Sequence, residues 1–294
     1  MPELPDLEAY RHALRPRVVG QPIERVVVAH PFLVRTAVPP VDAIEGRRVV
    51  DVRRVGKRIV LALERGLYVV LHLMIAGRLQ WIARGAKPPA RITLATLEFP
   101  GGRLVVTEAG TQRRASLHVV EGDAALAALD PGGAEPLDCD LASFAAVLAR
   151  GNHTLKRALT DPHALAGIGN AYSDEILHRA KLSPLALTSR LDADEIARLY
   201  TAMREVLIEW TARLEREADA AFPAKVTAFR PDMAVHGRYG RPCPVCGAPV
   251  QRIVYADNEC NYCARCQTGG RILADRALSR LLKDSFPRKI EGAE

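Results

Sequence analysis

The strongest chemical signal in the chain is four cysteines, Cys243-Pro-Val-Cys246 and, after sixteen residues, Cys263-Ala-Arg-Cys266. Two such pairs supply four thiolates, the closed tetrahedral shell that structural zinc prefers. Iron takes the same donors, but zinc is the expected ion. Val250–Tyr255 and Tyr262, between the pairs, suit a two-stranded hairpin, so the metal is expected to hold a scaffold and not to react. Cys139 and Cys260 stand apart. The first is expected as a small buried residue and the second as a free thiol.

A second signal is Gly167-Ile-Gly169-Asn170 running into Ala-Tyr-Ser-Asp-Glu175. Two glycines before a helix expose backbone N–H groups to an anion such as a phosphate. Asn170 can cap that helix or bond a phosphate oxygen. Alone, the pattern is an ordinary turn. With helices on both sides it reads as a helix–turn–helix unit gripping a nucleic-acid backbone, and Lys156 in the preceding segment adds a positive contact. The third signal is the N-terminus. Met1 precedes Pro2, a small residue after which the initiator is expected to be removed, leaving a secondary amine. Such an amine can form an iminium with a sugar aldehyde, and Glu3 beside it can move protons. The bland alternative is a chain that merely starts with Pro.

The elements that must position these groups show in the texture of the chain. It has 294 residues, 48% hydrophobic and 26% charged, with a net charge of +7. That composition buries a core, and the basic balance points to a polyanionic partner. No apolar run approaches the roughly 18 residues of a membrane span. Acids also stand at Glu3 and Asp6, where a signal peptide would carry lysines. A cytoplasmic protein, in the bacterial cytoplasm or nucleoid, is expected, with no membrane partner.

Leu4, Leu7, Leu14 and Val18 fall at helical spacing. From about Ile23 to His118 short β-branched runs follow, among them Arg25–Val28, Arg58–Leu63, Leu67–Leu71 and Arg91–Leu97, punctuated by turn residues. No helix-length segment separates them, which predicts an antiparallel sandwich behind one leading helix. The loop Asp130–Pro136 marks a boundary, and helical periodicity takes over through Leu141–Arg150, Leu155–Leu159, Ala171–Ala180 and Ala193–Ala218. The cysteine segment is too short to hold its own core, so metal must supply folding energy. The expected fold is α+β and multidomain. Residues 1–133 form the helix and β-sandwich, 134–236 a helical domain, 237–275 a zinc-finger hairpin and 276–294 an extension, frayed from Arg288.

Pro2-Glu3-Leu4-Pro5, Gly56-Lys57, Gly167–Glu175 and the four-cysteine ribbon occur in one register. In that register the chain closely resembles, as a divergent member, the formamidopyrimidine-DNA glycosylase / endonuclease VIII family of base-excision repair enzymes, nearly throughout, to about Cys266. The resemblance implies a β-sandwich, a helix–two-turn–helix domain and a zinc finger holding one structural Zn2+. DNA would lie in the cleft between the domains, with a damaged base flipped out of the duplex. It implies that Pro2, freed from Met1, attacks the sugar C1′ with Glu3 as acid–base partner, and that β- and δ-elimination nick the strand on both sides of the abasic site. Lys57 matches the family lysine near the lesion phosphate and sugar, and Asn170 and Lys156 match phosphate-holding positions. The implied partner is double-stranded DNA with a damaged base or an abasic site, bound by a monomer.

Departures from the family pattern are specific. A second glutamate is usual three residues after Glu3; here Asp6 stands there and is kept as a catalytic candidate. The family's methionine wedge, between His-Leu-Gly and Ser-Gly, falls on Ile75 with Met74 beside it in His72-Leu73-Met74-Ile75-Ala76-Gly77. Either can fill the hole left by a flipped base. The usual Arg-Arg-Phe is Arg113-Arg114-Ala115, and alanine cannot stack. The hairpin arginine that grips lesion phosphates is replaced by Asn258, and Arg271, just past the ribbon, is the expected substitute. About 28 residues follow Cys266, where Ala274, Ala277, Leu278, Leu281 and Leu282 predict a short helix.

Other residues are expected to be ordinary. His72 and His118 read as sheet residues, and His153 and His236 as exposed. Arg47, Arg48, Arg53 and Arg54 read equally as a DNA face or a solvated strand edge. The main alternative function is a catalytically silent DNA-binding protein of the same fold, motivated by Asn258, Ala115 and Asp6. A zinc-ribbon RNA-binding protein ranks last, because it leaves Pro2-Glu3 unexplained.

Overall fold

Helix α1 (Leu4–Val18) starts at Glu3 in a capping box, in which Asp6 Oδ2 accepts the Glu3 backbone N–H at 3.0 Å. Pro5 sits in its first turn, and Leu7, Tyr10, Leu14 and Val18 line its buried face. The chain's computed structural model describes residues 1–110, 112–255, 258–273 and 289. They form two units, Met1–Pro131 with Glu209–Thr227, and Gly132–Ile208 with Ala228 onward.

In the first unit two antiparallel four-stranded sheets face each other. One combines β1 (Arg25–Val28), β5 (Gly77–Ile82), β6 (Thr93–Phe99) and β7 (Gly102–Glu108) in the order β1-β6-β7-β5. The other has β2 (Val49–Val55), β3 (Arg58–Leu63), β4 (Leu67–His72) and β8 (Ser116–Glu121) in chain order. Leu7, Tyr10 and Leu14 of α1 pack in one cluster with Ile59, Leu61, Val69, Leu79, Leu97, Val106 and Leu117. Burial of each such side chain contributes about 1.5–3 kcal/mol.

β3 and β4 are buried on both faces, which is why they read as unbroken apolar runs and not as alternation. Their second face, Val60, Ala62, Tyr68 and Val70, packs with Leu126 of α2 (Asp123–Ala127). That helix is absent from the expected all-β arrangement, since five residues show no periodicity. β6 starts at Thr93, not Arg91, because the Thr93 N–H and hydroxyl both turn back to the Pro89 carbonyl.

The second unit has α3 (Leu141–Ala149), capped by Asp140 through the Ser143 N–H, and α4 (Leu155–Thr160), capped by Thr154 through the Arg157 N–H. α5 (Asn170–Ala180) follows the two glycines. α6 (Ala193–Ala220) belongs to this unit up to Ile208 and to the first from Glu209. The hairpin of β9 (Val250–Tyr255) and β10 (Asn258–Cys263) then leads into α7 (Ala264–Thr268). Val235, Leu185, Val250, Ile253, Tyr262 and Leu273 share a core, so the hairpin packs in the same unit as the helices and is not a separate body.

The expected helix through Ala274, Ala277, Leu278, Leu281 and Leu282 lies outside the described residues, as does the frayed tail apart from Lys289. Among the described residues no helix is long and apolar enough to cross a membrane.

Candidate active site and nucleic-acid interface

Pro2, Glu3 and Asp6 are buried at the start of α1. The Asp6 carboxylate takes the Glu3 N–H, which fixes the backbone of the first residues; Asp6 thereby holds Glu3 in place. Glu3, Asp6, Lys57 and Arg78 all act on the Met1 amine. Burial lowers that amine below its ordinary value, Arg78 and Lys57 lower it further, and the charges of Glu3 and Asp6 oppose the shift.

Lys57 stands on a two-residue hairpin loop between paired Val55 and Arg58, and Gly56 takes the positive φ (+54°) that such loops need. Arg54 braces this loop. Its Nη1 donates to the Gly56 carbonyl at 3.0 Å and its Nε to Glu8 of α1 at 2.8 Å. Only 10% of the Arg54 side chain is exposed, so it is neither an open DNA face nor a solvated edge. Through it the helix that carries Glu3 is tied to the loop that carries Lys57. His72, paired across the sheet with Arg58, is lowered to about 4 by burial, with Arg58, Lys57 and His118 adding to the effect.

Past His72 the chain makes a tight turn in which the Gly77 N–H returns to the Leu73 carbonyl. A Cβ on Gly77 would lie 2.2 Å from that oxygen. Met74 is held at φ +51° and Ile75 is 60% exposed. Arg78 donates to the carbonyls of Ile75, Gly77 and Val226. Arg113 and Arg114 are exposed, with Arg113 donating to the Arg91 carbonyl. Ala115 is only 4% exposed. Its N–H and that of Arg114 both bond the carboxylate of buried Glu108, at 3.1 and 3.0 Å.

In the second unit Gly167 takes φ +79° and Gly169 caps α5. Asn170 Nδ2 donates to the Glu259 carbonyl on β10 at 2.7 Å, so the turn and the hairpin are joined. The Lys156 ammonium donates to the Asn170 carbonyl (2.7 Å), Ser173 Oγ (2.8 Å) and Asp174 Oδ1 (2.5 Å). Those contacts occupy its three donors, and a phosphate contact from Lys156 requires exchanging one of them. Asp174 Oδ2 also takes the Asn261 N–H at 3.0 Å and pairs with His236 Nδ1 at 2.8 Å. His236, expected to be exposed, is therefore buried, stacked on Phe229 and bonded to a carboxylate. Glu175 accepts the N–H groups of Ala234, Val235 and His236 at 2.7–2.9 Å. Arg271 is exposed in the turn after α7. Asn258 opens β10, its side chain lying outside what the structure describes.

The four ribbon sulfurs lie within 4.8 Å of one another, with Cys246–Cys263 at 3.4 Å and Cys243–Cys266 at 3.9 Å. Metal–sulfur bonds of about 2.3 Å in a tetrahedron put sulfurs roughly 3.8 Å apart, so the cluster fits one ion. Burial pushes the Cys263 thiol up to about 11 and raises Cys266 as well. Four thiolates this close together would repel one another, a cost that a bound cation would offset. Cys260 is buried outside the cluster, and Cys139 is half-buried.

The model of the formamidopyrimidine-DNA glycosylase N-terminal domain matches residues 1–115, and that of the formamidopyrimidine-DNA glycosylase H2TH domain matches residues 132–217. The chain belongs to the formamidopyrimidine-DNA glycosylase family. Among relatives of this glycosylase, the formamidopyrimidine-DNA glycosylase of Thermus thermophilus is 37% identical over 286 residues, 92% of this chain and 100% of that one. The crystal structure of the MutM (Fpg) protein from the same organism aligns at a TM-score of 0.77 and 35% identity, covering 90% of this chain and 98% of that one. A complex of wild-type Lactococcus lactis Fpg (MutM) with N7-benzyl-Fapy-dG DNA aligns at 0.79 and 25% identity, covering 91% and 100%.

Sequence reasoning about this glycosylase missed Arg78, Glu108, His178 and the bracing by Arg54. Arg78, His178 and Arg54 act by contacts distant in sequence; Glu108, a carboxylate ending an apolar strand, bonds residues only six and seven positions on and left a local sign. Two outcomes follow from the geometry. Arg54→Met frees the Lys57 loop from α1, and imine trapping on abasic DNA should slow about ten- to a hundredfold; an unchanged rate removes the bracing role. His72 has a folded value of about 4 against 6.5 unfolded, so protonation favours the unfolded chain. Its contribution is complete above pH 6.5 and lost as pH falls toward 4. Denaturation midpoints should fall less steeply over that window in His72→Gln, and parallel profiles would remove the effect.

Proposed function

We propose that the chain is a bifunctional DNA glycosylase and abasic-site lyase of base-excision repair. The observation that carries this is the burial of Pro2, Glu3 and Asp6 together at the start of α1, with Lys57 and Arg78 among the charges acting on the adjoining Met1 amine. With Met1 removed, the free terminal amine is the Pro2 nitrogen. Pro2 N forms a bond to the sugar C1′ as the N-glycosidic bond breaks and the damaged base leaves with a proton. Glu3 manages the protons at the sugar, opening the ring to the iminium. Loss of a proton from C2′ and then from C4′ expels the 3′ and 5′ phosphates by breaking the C3′–O and C5′–O bonds, with Lys57 beside the phosphates, and water hydrolyses the remaining imine to free Pro2.

The division of labour follows the expected segments, with residues 1–133 carrying the chemistry and 134–236 and 237–275 the grip. Double-stranded DNA with a damaged base or abasic site is the substrate, in keeping with the damaged-base DNA bound by the Lactococcus relative. Asn170, Lys156, Arg113, Arg114 and Arg271 supply phosphate contacts, and Ile75, with Met74 behind it, enters the duplex. Cys243, Cys246, Cys263 and Cys266 hold one structural Zn2+. The protein works in the cytoplasm or nucleoid.

Borohydride trapping on duplex DNA with an abasic site tests the chemistry, with mass spectrometry locating the adduct. An adduct on Pro2, lost in Pro2→Gly, is expected. Binding with no adduct, from protein shown to lack Met1, would make the chain a silent DNA-binding protein. Glu3→Gln should lower excision of a damaged base by about 10²–10⁴-fold; unchanged excision would place the acid–base role elsewhere. Affinity for duplex DNA should fall linearly on a log–log plot against salt, in proportion to the phosphates neutralised. Salt-insensitive binding would count against a phosphate grip.

A further inference from the structure

His178 is absorbed by none of the roles above. It lies on α5, buried, two helical turns beyond Asn170 and one beyond Asp174, on the face that meets the ribbon. Its Nε2 lies 3.3 Å from Cys243 Sγ. A metal-bound cysteine is a thiolate and carries no hydrogen, so in that state the imidazole must be the donor.

Among the described residues, other contacts to the sulfurs come from the ribbon itself. Cys263 Sγ accepts the Cys266 N–H at 3.5 Å, and Cys246 takes the Ala248 N–H. Both are knuckle contacts that such loops make for themselves. His178 instead reaches the cluster as a side chain from a different element, sixty-five positions away. Four thiolates around one divalent cation leave a net negative charge in a largely buried place, and N–H donors to sulfur offset it.

We infer that His178 is a positioning residue of the metal site, donating its Nε2–H to the Cys243 thiolate and tying the metal to the helix that begins at the Asn170 turn. The contact does two things. It spreads charge off one metal ligand, and it fixes that ligand to α5, whose Asp174 and Glu175 hold the neighbouring backbone of residues 234–236 and 261. The ligand shell is thus oriented by the same helix face that carries the phosphate turn. Outer partners of this kind change metal affinity by about 10–100-fold.

The inference rests on the cysteine cluster holding a metal, and full-length protein loaded with Co2+ separates the two claims. Failure to take up cobalt with the sulfur-to-cobalt charge-transfer bands of a four-thiolate site overturns the metal assignment and this inference with it. In cobalt-loaded His178→Phe the charge-transfer band should move to lower energy, because the Cys243 sulfur regains charge. His178→Gln, which can place an N–H near the same point, should return the band toward wild type. Zinc transfer from His178→Phe to a chromophoric chelator should be about tenfold faster than from wild type. Bands and transfer rates indifferent to residue 178 would overturn the inference and leave the metal site standing.

Should His178→Phe fail to fold, the wild-type protein decides. Loaded with 113Cd and labelled with 15N-histidine, it should show the His178 proton on Nε2, coupled through the sulfur to cadmium. A proton on Nδ1 alone, with no coupling, would overturn the inference.

Discussion

Two adjacent carboxylates on one helix organise the second half of this protein. Asp174 and Glu175 are both buried, and removing such charges from water costs several kcal/mol each unless their oxygens are fully engaged. They are engaged by groups from three places. Lys156 comes from α4, the N–H groups of residues 234–236 from the segment before the ribbon, and the Asn261 N–H from β10. Burial raises the Glu175 carboxyl while the three N–H groups oppose it, the balance that lets a carboxylate sit in a core. Losing one partner would strand a buried charge, so the Asn170 turn, the pre-ribbon segment and the hairpin are coupled through this pair. The pair thus anchors a ribbon that is too small to hold itself, alongside its cluster of four cysteines.

The first unit solves a related problem. A chain terminus ordinarily frays, yet here Pro2 and Glu3 are buried and held. The first turn of α1, Leu4 to Leu7, is buried, and its cap uses the second carboxylate, Asp6, to grip the Glu3 N–H. Glu8, one turn further, reaches Arg54 and through it the Gly56 carbonyl. Backbone, carboxylate and lysine loop are thus referred to one rigid helix. Shortening the usual glutamate to Asp6 is compatible with this, because a hydrogen bond back to a residue three positions away needs a short arm.

The parts readable from sequence were those whose signal is local. Cysteine spacing announces the metal cluster, Gly167 and Gly169 announce the helix start, and the apolar runs of β3 and β4 announce a sheet. What was hidden depends on contacts across the chain. The residue type of His236 suggests an exposed histidine, and only the fold brings Asp174 and Phe229 to it. Lys156 reads as a positive contact, and only the fold brings Asn170, Ser173 and Asp174 to its three donors. Arg54 sits in a run of strand arginines, and nothing in that run distinguishes the one that turns inward. α2 is too short to carry a period, although it accounts for the second buried face of the central strands.

The departures from the family pattern become physical once the backbone is known. The usual glycine of His-Leu-Gly corresponds to Met74, and Met74 is held at φ +51°, in the left-handed region where a side chain costs about 1–2 kcal/mol. The turn persists because Gly77 closes on the Leu73 carbonyl and Arg78 holds the carbonyls of Ile75 and Gly77. That strain leaves the next residue, Ile75, presented to solvent on a backbone fixed from both sides. At the Arg113–Ala115 turn the opposite has happened. Glu108 draws the backbone of Arg114 and Ala115 inward, and Ala115 is buried where the family carries a phenylalanine. Among the positions singled out for filling a vacated base stack, Ile75 is the exposed apolar side chain, and it is β-branched, shorter and stiffer than methionine. Both departures thus lie in turns held by their own hydrogen bonds, Arg78 at one and Glu108 at the other, and neither group bonds Glu3 or the Lys57 loop in those contacts.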